Sequence, residues 1–182
     1  MTQQAAEPVA LAANPGIPTR SLVHLTVALR IFVGLDWFSN VIAKIVGQNH
    51  FDWGFFDFNL VNQDTAHRIL QQAVASTHIA PLHWFYGSVV LPNFGFFQGF
   101  LLLAELGVAI GLTFGLLTRV AAIGGLLLLG PIWLMLLHTN QYLWTYPLDL
   151  FPLLLLAIVP AGRVAGLDGK IIRRLGKSVW PL

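Results

Sequence analysis

Four ionisable residues fall inside long apolar runs of this sequence: Arg30, Asp36, Glu105 and Asp149. A charged side chain in the middle of a membrane helix costs roughly 2.5 to 3.5 kcal/mol on insertion scales, so each needs a partner or a purpose. Counting ~1.5 Å per helical residue from an inner boundary at Leu22 puts Arg30 at ~12 Å and Asp36 at ~21 Å. Counting in the same way from Leu117 and Ala161 puts Glu105 and Asp149 each at ~18 Å. Three carboxylates from three helices are thus expected in one layer. An extended arginine reaches across several ångströms, so Arg30 is expected to pair with Glu105 or Asp149. One cation cannot neutralise three carboxylates; unless Lys44 or water joins them, at least one carboxyl must hold a proton. A proton relay, or an acid facing a quinol, requires such a group.

Helical spacing sharpens the set. Arg30, Gly34, Trp37, Val41 and Lys44 share one stripe, with Asp36 and Asn40 on its flank. Gln98 and Glu105 share a face one heptad apart, as do Tyr142, Thr145 and Asp149, and His138 ends the preceding helical run near the mouth of the layer. Catalytic candidates are therefore Glu105, Asp149, His138 and Arg30, with Trp37, Lys44 and Asp36 as candidates to hold a cofactor. The same residues have a purely structural reading. Buried arginine–carboxylate pairs lock helix bundles without doing chemistry, and Trp37, Trp84, Trp133 and Trp144 read first as interfacial anchors.

The elements that must position these residues follow from hydropathy. The 182 residues are 56% hydrophobic and only 10% charged, which points to lipid rather than water as the solvent. A hydrocarbon core of ~30 Å needs ~20 helical residues, and four windows of that length emerge: about Leu22–Val46, Asn93–Leu117, Val120–His138 and Leu143–Ala161. The expected fold is an all-α membrane protein, a four-transmembrane-helix bundle. Its domains are a disordered cytoplasmic tail over 1–20, a membrane domain over 21–162 and a basic cytoplasmic tail over 163–182. The long outer segment, 48–92, carries an aromatic cluster of Phe51, Trp53, Phe55, Phe56 and Phe58. It is also expected to carry short interfacial helices, one capped by Asp64 and running to about Ala75, another beginning after Pro81. Basic residues collect on cytoplasmic flanks. Arg20, Arg119, Arg163, Lys170, Arg173, Arg174 and Lys177 all place both termini inside, and the turn from Thr139 to Tyr142 has no basic residue.

Other chemistries lack their signatures. A net charge of +2 concentrated near one end does not suit nucleic acid. With no cysteine, thiolate ligation and thiol intermediates are excluded, as is an iron–sulfur cluster held by cysteines. There is no convincing haem ligand pair and no Gly-rich nucleotide fingerprint. Histidines 50, 67, 78 and 83 crowd the outer segment, but no pair has the i, i+4 spacing of strong zinc motifs, so no metal site is assigned.

The stretch Ala28-Leu-Arg30-Ile-Phe-Val-Gly34 with Trp37 and Lys44 resembles the first-helix signature of the DoxX/DoxD membrane proteins. Glu105 with Gly111-Leu-Thr-Phe-Gly115-Leu-Leu-Thr-Arg119-Val-Ala-Ala122, and Ala161-Gly-Arg163-Val-Ala-Gly166-Leu-Asp168, are similar to that family's later motifs. Pro81-Leu-His-Trp-Phe-Tyr-Gly87 with Leu91-Pro-Asn93 leans toward the DoxD branch, over about residues 22 to 175. The resemblance implies the membrane subunit of a thiosulfate:quinone oxidoreductase in a bacterial or archaeal inner membrane. It would take quinone as its redox group and a small soluble subunit as partner. The alternative is a non-catalytic accessory subunit of a respiratory or photosynthetic complex, surrounded by lipid and other membrane subunits or by further copies of itself. Transport ranks last, since the chain lacks duplicated halves.

Overall fold

The computed structural model describes residues 19–139, 142 and 145–176, and every element below belongs to them. The expected N-terminal tail, Trp144, and Lys177 with the residues after it lie outside that range. The described chain is mostly helical, with seven α-helices. Helix α1 spans Thr19–Val46, α4 Phe94–Phe114 and α5 Thr118–Met135, the last continued by a 3-10 turn over Leu136–His138. These three are long and apolar enough to cross a bilayer. Helix α6, Pro147–Ile158, is apolar but only 12 residues long.

Segment 48–92 is more regular than its sequence suggests. The aromatic cluster forms an antiparallel hairpin of β1 (His50–Trp53) and β2 (Phe56–Asn59), in register Phe51 to Phe58, turning at left-handed Gly54. Phe51 and Phe58 stack across it at 5.0 Å between ring centroids. Helix α2 (Gln63–Ser76) follows. Its N-cap is Asn62 rather than Asp64: the Asn62 side chain accepts from the Thr65 amide at 2.9 Å and donates to the Gly47 carbonyl at 3.1 Å. One side chain thus starts α2 and ties it to the end of α1, while Asp64 adds negative charge in the first turn. Helix α3 (Ala80–Phe85) starts one residue before Pro81 rather than after it, with the proline in its first turn, and widens into a π-turn over Tyr86–Val90 before α4.

Two apolar cores result. One joins α1, α4, α5 and α6 through Val33, Trp37, Val108, Leu112, Ala122 and Leu153. The other packs α2 and the π-turn on the far end of α5 through Leu70, Ala73, Val74, Val90, Met135 and Leu136. Gly34 sets the first core's register, because a Cβ there would collide with Thr113 on α4.

The opposite end of the bundle is closed by the C-terminal segment. Expected as a tail, it folds into a 3-10 turn over Ala161–Arg163 and then α7 (Leu167–Leu175). Arg30, 1% exposed, donates from Nη1 to the Ala161 carbonyl at 2.9 Å and from Nη2 to the Ala165 carbonyl at 3.1 Å. Asp168, 2% exposed, accepts from the amides of Leu117 (2.6 Å) and Thr118 (3.1 Å) and from the Thr118 hydroxyl (3.0 Å). It therefore caps α5 from 50 residues away in sequence, a carboxylate at a helix N-terminus that favours negative charge. Left-handed Gly115 (φ 65°) makes room for this closure, since a Cβ there would strike the Arg30 guanidinium.

Candidate functional site

Between the two cores lies a cavity of about 440 Å³. Helix α1 contributes Asp36, Trp37, Asn40 and Lys44, α4 contributes Glu105, and α6 contributes Asp149. These polar groups converge against a largely aromatic wall of Phe85, Tyr86, Phe94, Phe97, Phe100 and Tyr146. Few converging polar groups in an apolar, roomy cavity are the usual form of a small-molecule site.

The strongest contact in the cavity is an ion pair. Lys44 Nζ lies 2.6 Å from Glu105 Oε1 and 2.5 Å from Oε2, with side chains only 4% and 11% exposed. This corrects the expected pairing: Glu105 meets Lys44, whereas Arg30 lies with backbone carbonyls at the α7 end. The register explains why. Counting upward from the Gly34–Thr113 contact, Lys44 stands ~15 Å and Glu105 ~12 Å along their helices, so the two reach one level. Leu22 was the wrong origin, because the first turns of α1 run past the end of α4.

Of the seven residues expected to act, five line the cavity: Asp36, Trp37, Lys44, Glu105 and Asp149. Trp37 is a 9% exposed core residue, not an interfacial anchor. Arg30 and His138 do not line it. His138 ends the 3-10 turn after α5 and packs on His78, ring centroids 4.4 Å apart. Two more of the histidines of segment 48–92 are engaged: His67 against Phe94 at 4.4 Å, and His50 3.4 Å from Asp57 across the hairpin. Asp36 and Asp149 have no side-chain hydrogen bond or ion pair among the described residues. Both line the cavity and are exposed.

Sequence reasoning missed Tyr86 and Tyr146. Tyr146 stands three residues before Asp149, on the same helical face, so the wheel held the signal. Tyr86 had no such cue; its orientation comes from the π-turn it opens, a feature often found at functional sites. Burial pushes the Tyr86 phenol above its usual range, which keeps it a hydrogen-bond donor.

The chain matches no protein-family model, no curated protein and no solved structure.

Proposed function

We propose that this chain is a four-span, DoxD-like membrane subunit that binds quinone in the cavity between its two cores and exchanges protons with it. The observation that carries this reading is that Asp36, Asn40, Lys44, Glu105 and Asp149 line one cavity together with many aromatic side chains. A quinone ring stacks on such walls and its oxygens seek donors. Reduction adds two electrons and two protons. With thiosulfate as donor, as the resemblance implies, two thiosulfates yield tetrathionate and two electrons, and the quinone takes these with two protons to become quinol. Asp36 and Asp149, free of ion pairs, are the groups suited to passing protons, while the Lys44–Glu105 pair fixes the cavity wall.

Helix α6 is read as the fourth span despite its length. Arg119, at the start of α5, donates to the Ile158 carbonyl at 2.9 Å, and Arg30 and Asp168 hold the following segment at that same end. Arg119, Arg163, Lys170, Arg173 and Arg174 thereby collect at one face. This favours placing that face, and both termini, in the cytoplasm of a bacterial or archaeal cell.

The accessory-subunit reading draws on a second, apolar groove between α5 and α6, lined by Gly130, Trp133, Pro147 and Phe151. One experiment separates the two readings. Protein extracted in mild detergent is analysed for bound quinone and for associated subunits, then assayed for thiosulfate-dependent reduction of decyl-quinone and of ferricyanide. Bound quinone with activity supports the enzyme. Large stoichiometric subunits with neither acceptor reduced replace it with the accessory role.

A further inference from the structure

The walls and the charges of this cavity together restrict what enters it. Phe100 on α4 and Leu127 on α5 line the cavity and are 64% and 69% exposed. The cavity is therefore apolar and open, not sealed, where α4 and α5 line it. On the hairpin side the cavity is covered by α2 and the π-turn through Ile69, Leu70, Tyr86 and Val90. In the membrane reading this apolar side gives a ligand a route from the hydrocarbon.

The charges lining the cavity are unequal. Among the described residues that line it Lys44 is the only cation, and Glu105 neutralises it at hydrogen-bond distance with both oxygens. Asp36 and Asp149 are left facing the cavity without a cation. We infer that the ligand is a bilayer-dissolved amphiphile whose head group bears no negative charge, and that this cavity excludes oxyanions, thiosulfate among them. The inference rests on the reading of the cavity as a binding site and adds to it a charge rule and a route. At ~8 Å and an effective dielectric constant of ~20, one like charge lowers an anion's affinity roughly thirtyfold. An anionic electron donor would then have to react outside the cavity and deliver electrons to a quinone within it.

The test uses full-length protein in nanodiscs of zwitterionic lipid. Decyl-quinone is bound first and followed by its quenching of tryptophan fluorescence. Decanol, decyltrimethylammonium and decyl sulfate then compete, each corrected for partition into empty nanodiscs. Decyl sulfate should bind at least tenfold more weakly than decanol, and decyltrimethylammonium no more weakly. In the double variant Asp36→Asn, Asp149→Asn the sulfate deficit should shrink to about threefold. Equal binding of decyl sulfate and decanol to the unaltered protein overturns the charge rule while leaving the cavity as a site. That ranking needs no variant, so it stands even where the double variant does not fold. A deficit that persists in a folded double variant overturns the assignment to Asp36 and Asp149. Failure of decyl-quinone itself to bind overturns the cavity reading and this inference with it.

Discussion

Lys44 and Glu105 are costly to bury separately and cheap to bury together. Each is under a tenth exposed, and each carries a charge that only the other offsets. Glu105→Gln should therefore destabilise the bundle by ~3 to 5 kcal/mol, because it strands the ammonium, while Lys44→Met with Glu105→Leu should recover most of that loss. Unfolding of detergent-solubilised protein measures both, and additive losses would show that the pair does not interact. Arg30 and Glu105, by contrast, should show near-zero coupling in the same cycle. For activity, Asp149→Asn should lower thiosulfate-dependent quinone reduction by around a hundredfold, the scale of a lost acid–base group, with the melting temperature little changed. An unaltered rate would remove Asp149 from proton handling. The ionisable residues that mark the cavity were legible in the sequence from their cost in lipid. Their pairing was not, because depth along a helix depends on an origin, and the Gly34–Thr113 contact that fixes the origin is a tertiary fact.

Among the elements, the long apolar helices were legible to within a few residues, since hydropathy over ~20 positions is a strong signal. The hairpin and α7 were not. Phe51 to Phe58 alternates too weakly between apolar and polar to declare strands, and the basic residues of α7 mask the buried Asp168 and Gly169 that anchor it. That anchor can be tested directly. Asp168→Ala removes three hydrogen bonds from the start of α5 and should cost ~2 kcal/mol, the upper range for a lost cap. Gly115→Ala should cost more, because it forces a Cβ toward the Arg30 guanidinium at a left-handed φ. Thermal melts of both variants beside Gly47→Ala, whose added Cβ meets nothing, separate collision from backbone strain.

For the whole molecule, the number of crossings decides which face carries the hairpin and which carries α7. The chain has no cysteine, so single cysteines report cleanly. With four crossings, Phe55→Cys at the 91% exposed hairpin tip should react with an impermeant thiol reagent in intact cells, and Arg173→Cys on α7 should react only after permeabilisation. Labelling of both in intact cells would mean that α6 does not cross. The reverse pattern would invert the orientation.

The carbonyl cradle of Arg30 also bears on how the chain is made. Its partners Ala161 and Ala165 lie 131 and 135 residues downstream. At a synthesis rate of ~5 to 20 residues per second, they emerge roughly 7 to 26 seconds after Arg30 itself. Throughout that interval the Arg30 guanidinium lacks these carbonyl partners. Final seating of the first span therefore waits for the last segment to be translated. A nascent chain released before Ala161 lacks the only hydrogen-bond acceptors that this arginine has among the described residues, so early truncation leaves Arg30 without its cradle.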